Sequence, residues 1–335
     1  MKNLIPLFLA ILLIGAGCVF QKESPVGVGE PVVVQTQYVN GIVEAYDDAT
    51  NIASVRTATG ATEEVLWPAG AQAASELFGT IVVAKGERDP STLVVVAEAV
   101  DVPASQNLMV ASPAIGATVT SPLVVSGFGR VFEQTFNWRI KDTAGAVIGE
   151  GIAMTDARDV GWFGPFTFEV FLPAMTETAF TLDVLDYSAR DGSEQDLVSV
   201  SLNLLSTKTS TFKVYFEKPS QGNSFDCSQV FPVQRTLAET AAIGRASIAE
   251  LLKGPTDEER AQGFSTSIPA YAALNSLVIG DRTAKADFTR DLEPGGGSCR
   301  VTAIRSQIEN TILQFDSVET VVISVKGETD TALQP

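Results

Sequence analysis

Apolar and polar side chains alternate strictly along several stretches in the middle of this chain, and this pattern constrains its fold more than any other feature. The clearest stretches are residues 136–141, 166–170 and 198–204. A period of two buries one face of a β-strand and leaves the other in solvent. Turn dipeptides separate the stretches, at residues 144–145, 164–165 and 191–192. Residues 106–205 are therefore predicted to form a β-sandwich, with Trp138 as a candidate core residue.

Short β-type runs also fill residues 32–102, where helical periodicity is confined to residues 72–78. The runs lie between Asp-Asp, Thr-Gly and Asp-Pro turns, at residues 32–34, 41–45, 52–57, 65–67, 80–84 and 93–100. Several short strands at this spacing are typical of a small closed β-barrel of the OB or SH3 type. We interpret the barrel as a spacer or a protein-contact module, because a fold alone does not fix a function.

The pattern changes in residues 212–335, where strands and helices alternate. Apolar residues recur at helical spacing in two stretches, residues 244–252 and 301–315. Gly254-Pro255 is a stop signal for the first helix, and Ser298 is a candidate N-cap for the second. Residues 280–282 are predicted to turn a hairpin. The order β, α, β, β, α, β predicts an α+β domain in which two helices cover one face of a sheet.

The first 17 residues are a predicted secretory signal, in which Lys2 precedes an apolar run and small residues end at Gly17. This run is too short for a comfortable transmembrane helix. Cys18 follows directly, so the start resembles a bacterial lipoprotein signal, although Gly15 stands where that motif usually has an aliphatic residue. The resemblance implies cleavage after Gly17, acyl chains such as palmitate on Cys18, and a tether over residues 18–31. The alternatives are an ordinary signal peptide with an incidental cysteine and an uncleaved anchor.

With Cys18 assigned to lipid, the remaining cysteines are Cys227 and Cys299. An even pair in an oxidising compartment predicts one disulfide. The bridge would close a loop of about 73 residues, which the chain-entropy model converts to about 4 kcal/mol of stabilisation. The alternative is two free, buried thiols.

The formal net charge of the chain is −17, and the chain contains no histidine. An acidic protein is a poor partner for nucleic acid. It also gains nothing from anionic headgroups, so attachment to a membrane should depend on acyl chains. The lack of histidine removes Ser-His-Asp and Cys-His catalysis and the commonest zinc ligand. Carboxylate-pair, Ser-Lys and calcium chemistry remain open, and we predict neither a cofactor nor a metal.

Two ordered sets of short segments resemble known families. The first set comprises SPAIG (112–116), SPLVVSG (121–127), GEG (149–151), GWFGPF (161–166) and DYSARDGS (186–193). It resembles the immunoglobulin-like domain of bacterial spore germination and covers nearly all of residues 106–205. The second set comprises VFPVQR (230–235), ELLKGPT (250–256), TSIP (266–269), GSCRV (297–301), IRSQI (304–308) and VISV (322–325).

This second set resembles the GerMN domain of sporulation and spore-germination proteins and covers almost all of residues 212–335. The resemblance implies a role in envelope assembly, because members of this family look similar to ring-building modules of secretion-like complexes. None of the segments is a recognised catalytic signature.

Four residues are candidate partner contacts. Arg235, Arg300 and Arg305 carry guanidinium groups, which recognise carboxylates in a bidentate manner. The alternatives are ion pairs within the domain and a ligand role. Trp162 lies near glycines on a predicted loop and is a candidate exposed aromatic residue. A position in the core is the alternative for the aromatic side chains of this region, which are Phe128, Phe132, Trp162 and Phe163.

An acidic cluster around Gly192 is a candidate calcium site, formed by Asp186, Asp191, Glu194 and Asp196. Its spacing does not match an EF-hand loop. Local hydrogen bonds of Asp and Gly at a turn explain the cluster equally well. We therefore predict no metal here.

The leading hypothesis is a non-enzymatic, lipid-anchored, extracytoplasmic envelope protein that docks a protein partner or its own copies. The alternative is a lipoprotein that captures a cell-wall glycan, such as peptidoglycan, or a solute, and this function needs an aromatic pocket with a polar rim. A hydrolase with paired carboxylates is a third hypothesis, which no spacing supports. Sporulation or germination is implied by the family resemblance alone.

Overall fold

The computed structural model describes residues 36–104, 106–222, 226–293, 295 and 297–334. The predicted signal peptide with Gly17, the lipid-attachment residue Cys18 and the tether of residues 18–31 lie outside the described residues. The first predicted β-type run, residues 32–34, lies outside them as well.

The first five strands close into a barrel. They are β1 (Thr36–Asp47), β2 (Ile52–Thr57), β3 (Thr62–Leu66), β4 (Ile81–Arg88) and β5 (Val95–Asp101). Their order is β1-β2-β3-β5-β4, and β3 pairs with β5 in parallel. The predicted helical segment is a single 3₁₀ turn, Ala74–Glu76, which places Ala74 in the barrel core. The segment stays this short because one turn cannot nucleate an α-helix alone. Assignment of the barrel to the OB or SH3 type stays a prediction.

Two packed sheets form the middle of the chain. Their strands are β6 (Leu108–Ser112), β7 (Thr118–Val119), β8 (Leu123–Gly129), β9 (Thr135–Lys141), β10 (Val147–Met154), β11 (Gly164–Val170), β12 (Ala179–Tyr187) and β13 (Glu194–Leu204). One sheet has the order β10-β9-β12-β13-β7 and the other β11-β8-β6. Phe136 and Ile140 from the first sheet and Phe166 from the second are buried in a shared core, as the alternation predicts. Trp138 packs against this core and stacks on Phe168.

The predicted turn at Gly164-Pro165 is wrong, because these residues begin strand β11. The preceding loop crosses so closely here that a Cβ atom on residue 164 would overlap the backbone of Ala157. The glycine is therefore required by a close backbone approach and not by a turn.

An ion-pair cluster stabilises the outer face of the five-stranded sheet. The carboxylate of Asp183 is fully buried and lies 2.8 Å from Nε of Arg139 and 2.7 Å from Nζ of Lys141. Ser199 donates a third hydrogen bond to it, at 2.6 Å. Burial raises the pKa of Asp183, but the hydrogen bonds from Lys141, Ser199 and Arg139 outweigh burial and hold this pKa below its usual value.

The Asp183→Asn variant should be less stable than the natural protein at neutral pH, and this difference should become smaller at acidic pH. Because the pKa is lower in the folded state, the carboxylate contributes stability that is fully present above its unfolded-state pKa of about 3.9. This contribution is lost as the pH falls through the folded-state pKa. At neutral pH, we expect the variant to lose about 2 kcal/mol of the free energy of unfolding. Between neutral and acidic pH, the free energy of unfolding should change less for the variant than for the natural protein. Urea unfolding at both pH values measures this, with the exposed Asp48→Asn as the matched control.

The C-terminal part contains two sheets and three helices. Its elements are β14 (Thr209–Phe216), β15 (Phe231–Ala238), α1 (Ile243–Leu252), α2 (Asp257–Ala261), β16 (Leu274–Gly280), β17 (Thr283–Phe288), α3 (Ser298–Leu313) and β18 (Thr320–Val325). β14 pairs with β15, while β16, β17 and β18 form a separate sheet. The prediction of a single sheet is therefore wrong. Both α1 and α3 pack against β14, and Thr311 of α3 accepts a hydrogen bond from the Tyr215 amide at 3.2 Å.

The predicted local signals in this part differ in how they agree with the structure. The hairpin is confirmed, and its turn residues Asp281 and Arg282 have φ angles of 48° and 59°. Positive φ at both central residues is the geometry of a type I′ turn. The N-cap assignment is wrong, because Gly297 occupies this position and Ser298 is the first helical residue. β14 begins at Thr209, three residues before the predicted start of this part at residue 212.

The folded units pack directly on one another. Phe128 and Phe163 of the sandwich are buried against Ile42 and Ile81 of the barrel. At the other end of the sandwich, the Ala238 amide donates to the Leu172 carbonyl at 3.0 Å. Across the same boundary, Arg245 of α1 forms an ion pair with Glu169 of β11.

Candidate functional site

Trp162 lies at the junction of the barrel and the sandwich. Its ring covers Gly79 of the barrel so closely that a Cβ atom on this glycine would overlap the ring. The next residue donates its amide to the same glycine, from Phe163 to the Gly79 carbonyl at 3.0 Å. Gly79 has a φ angle of 73°, which favours glycine on its own. Trp162 is thus half-buried by a neighbouring unit of its own chain.

Charged residues surround this junction. The carboxylate of Glu44 in the barrel is buried and lies 3.3 Å from the guanidinium of Arg56. Its second oxygen lies 2.8 Å from Nη2 of Arg158 in the sandwich, without the alignment of a hydrogen bond. Arg56 also pairs with Asp156 of the sandwich. Burial lowers the pKa of Arg56, and the ion pairs with Asp156 and Glu44 raise it further than burial lowers it.

Trp162 also lines a groove of about 840 Å³, which we call the loop groove. It is lined by residues 130–134, 154, 155, 157 and 159–162. Phe132 and Val160 are exposed at its edges, at 69% and 96%. The hydroxyl of Thr155 is buried and has no hydrogen-bond partner among the described residues. Of the four predicted aromatic candidates, Phe128 and Phe163 are buried.

The side chain of Arg235 is engaged within its own domain. Its guanidinium makes two hydrogen bonds to Glu259, one of 2.7 Å, and lies 3.5 Å from Glu250. It also lies over the ring of Phe216. Burial raises the pKa of Glu259, but the hydrogen bonds from Arg235 and the Thr256 amide, together with the charges of Arg235 and Arg260, outweigh burial and lower this pKa. Arg235 therefore joins strand β15 to helices α1 and α2 by ion pairs within the domain. Its assignment as a contact to a partner protein stays a prediction.

Arg300 and Arg305 hold backbone segments against α3. Nε of Arg300 donates to the Ser267 carbonyl at 3.3 Å, and Nη1 donates to the Gly295 carbonyl at 3.4 Å. Arg305 donates to the Ala332 carbonyl at 3.2 Å. Both guanidinium groups thus have partners inside the domain. Their assignment as contacts to a partner protein stays a prediction.

The predicted disulfide is present. Cys227, in the segment between β14 and β15, is bonded to Cys299 in the first turn of α3, with 5.2 Å between their Cα atoms. Cys299 is exposed and Cys227 is half-buried. The bond therefore ties a surface segment to the start of a helix and is accessible from solvent.

The acidic residues around Gly192 form hydrogen bonds within the protein. Glu194 pairs with Arg139, and Asp191 accepts from Ser193 at 2.8 Å. Asp186 accepts a hydrogen bond from Gln195, and Asp196 accepts one from Asn107. In the part of the chain that the structure describes, no group of three or more Asp, Glu, Cys or His side chains is placed to hold a metal ion. Among the same residues, no helix combines the length and the hydrophobicity that a membrane crossing needs.

Met154 and Val160 were missed at the sequence level. Met154 is the last residue of β10, and both side chains line the loop groove. A signal was available, because Ile152 and Met154 occupy the positions of β10 that alternate with the buried Ala153. Several apolar residues side by side on the solvent face of a strand indicate an interaction surface, whereas a single one does not.

Family models match two parts of the chain. Residues 107–193 match the immunoglobulin-like domain of bacterial spore germination. Residues 213–331 match a domain described as sporulation and spore germination. No curated protein matches the chain.

Two solved structures are similar to part of the chain. The tandem GerMN domains of the sporulation protein GerM from Bacillus subtilis are 19% identical over 36% of this chain and 41% of that chain, with a TM-score of 0.28. The first GerMN domain of the same protein is 22% identical over 38% of this chain and 92% of that chain, with a TM-score of 0.28. The chain thus spans about two fifths of the tandem structure.

Proposed function

Since the chain carries an immunoglobulin-like domain of bacterial spore germination followed by a sporulation and spore germination domain, we propose that it is a non-enzymatic, lipid-anchored module of the bacterial cell envelope. The lipid is attached to Cys18 and holds the protein outside the cytoplasm. The C-terminal domain docks a partner protein or further copies of the chain. The names of both families support a link to sporulation or germination.

The packing of the folded units on one another carries this proposal. Phe163 is buried between the sandwich and the barrel, and Leu172 is bonded to the C-terminal domain through the Ala238 amide. Units joined by buried apolar side chains move less against each other than units joined by polar contacts. Such an arrangement suits a spacer that displays one domain at a set distance from a membrane.

The chemistry of the side chains agrees with a non-enzymatic role. The whole chain lacks histidine. The most deeply buried carboxylate, that of Asp183, is neutralised by Arg139 and Lys141. Turnover of purified peptidoglycan by the full chain would contradict this part of the proposal.

The Cys18→Ser variant tests the anchor. We expect it to lose metabolic labelling with palmitate and to leave the detergent-soluble membrane fraction, because a single residue carries the acyl chains. The control is Cys227→Ser combined with Cys299→Ser, which removes the disulfide and leaves no free thiol from it. This variant should be less stable in the C-terminal domain but should keep both the label and the membrane location. Unchanged fractionation of Cys18→Ser would refute the lipid anchor.

A further inference from the structure

Strand β10 lies at the edge of the five-stranded sheet. It pairs with β9 along one side. Among the described residues, no strand pairs with its other side. Such an edge presents unpaired N–H and C=O groups, which form a template for another strand.

The pairing of β10 with β9 is irregular between Val147 and Gly149, but beyond this point the edge lacks the residues that usually prevent strand addition. Natural edges carry lysine, proline or several charges that prevent pairing with other chains. The eight residues of β10, VIGEGIAM, contain no lysine and no proline, and Glu150 is their one charged residue. The edge is therefore open to an extended peptide.

An apolar stripe runs along the solvent face of β10 towards the loop groove. Glu150, Ile152 and Met154 alternate with more buried neighbours, and the exposed fractions of Ile152 and Met154 are 72% and 64%. Met154 lines the loop groove, where Phe132 and Val160 extend the exposed apolar surface. A strand added to β10 would place alternate side chains beside this stripe.

The charges around the stripe indicate the sign of the partner. Glu150, Glu133 and Asp159 form no ion pair within the described residues. The cation of the groove, Arg130, is directed into the protein, where it donates to Asn107 at 3.0 Å and lies 4.7 Å from the centre of the Phe163 ring. Arg139 lies directly across from Glu150 on β9, but Asp183 and Glu194 engage its guanidinium. The carboxylates of Glu150, Glu133 and Asp159 therefore give the surface around the stripe a negative charge, as in the chain as a whole, with its net charge of −17.

We propose that β10 accepts an extended peptide segment of a partner protein as an additional strand. The segment carries apolar residues at alternate positions, which cover Ile152 and Met154 and enter the loop groove. It also carries at least one lysine or arginine that faces Glu150. Backbone hydrogen bonds supply affinity in this mode of recognition, and the side-chain contacts supply specificity.

A glycan fits this surface less well. Sugar recognition needs several polar side chains free to bind hydroxyl groups. In the loop groove, Gln134 donates to the Ala157 carbonyl at 3.2 Å and Arg130 is bound to Asn107, so the polar groups left for a sugar are the carboxylates of Glu133 and Asp159 and the buried hydroxyl of Thr155. Exposed isoleucine and methionine side chains on a free strand edge suit a peptide better.

The proposal deepens the role of interaction module proposed above, and it does not depend on Cys18. Random twelve-residue peptides displayed on phage are selected against the full chain in a mild detergent. We expect enrichment of peptides with alternating apolar residues and a basic residue. Ile152→Lys combined with Met154→Lys should weaken their binding by at least about tenfold. Both positions are exposed, so the fold should tolerate the change.

The matched control is Ile115→Lys, which alters an equally exposed apolar residue elsewhere and should leave binding unchanged. Hydrogen exchange with the best peptide should slow at residues 147–154. Failure to enrich peptides, or binding that is indifferent to the double variant, would overturn the proposal. Protection of β10 by soluble peptidoglycan fragments in place of the peptides would overturn it in favour of a glycan. None of these results bears on the membrane location tested with Cys18→Ser.

Discussion

Replacing Phe163 with alanine is expected to cost about 3–5 kcal/mol and to loosen the barrel from the sandwich. The side chain is 3% exposed and packs with Phe128, Ile42 and Ile81 in a cluster that belongs to both units. Its removal leaves a cavity at the junction, and the remaining ion pairs of Arg56 do not replace the lost packing. Limited proteolysis should then cut between the units, and calorimetry should show a separate transition for the barrel.

The matched control for this variant is Phe132→Ala. It removes the same side chain from the same sandwich at a position that is 69% exposed. Exposed substitutions of this kind usually change stability by less than about 0.5 kcal/mol. Equal protease resistance of both variants would show that the junction contributes little to the docking of the two units.

Replacing Cys227 or Cys299 with serine is expected to lower the stability of the C-terminal domain by about 4 kcal/mol. The disulfide joins residues that are 72 positions apart, so its loss frees a long loop in the unfolded chain. In the folded chain, the segment between β14 and β15 loses its attachment to the start of α3. Urea unfolding of the oxidised protein and of each variant measures the difference.

Reductant provides the matched control for the disulfide. Because Cys299 is exposed, mild reduction of the native protein should reproduce the stability of the variants. The variants themselves should not respond to reductant, and the double variant should match each single one. A variant as stable as the oxidised protein would contradict the stabilising role of this bond.

Elements with a strict period were predictable from the sequence. Strand β9 combines period two with turn residues after it, and Phe136 and Ile140 are buried as this pattern requires. The α3 helix is similar, since Ile304, Ile308 and Ile312 recur on one face and are all buried. In both cases one local pattern and one buried face determine the element.

Strand β15 was not predicted, because its pattern is weak on its own. Residues 231–238 include Pro232 and the polar residues 234–236, and every residue before Leu237 is at least partly exposed. The strand forms by pairing with β14, a contact that no short window of sequence reveals. Pairing between distant segments also explains why the C-terminal strands divide into two sheets.

The surroundings of the candidate residues could not be predicted from the sequence. Arg235 offers a guanidinium group, and the chain itself supplies Glu259 to bind it. Trp162 is bordered by Gly161, yet the barrel covers one face of its ring. Such outcomes depend on which distant segment comes to lie beside a residue, and this is a property of the assembled fold.

The position of Trp162 has a spectroscopic consequence. The three tryptophans of the chain are divided among the barrel core, the sandwich and the junction, as Trp67, Trp138 and Trp162. The C-terminal domain contains none. Intrinsic tryptophan fluorescence therefore reports on the barrel, the sandwich and their junction. It does not report on the C-terminal domain. With phenylalanine at positions 67 and 138, the emission of Trp162 would follow the separation of barrel and sandwich directly, without an added dye.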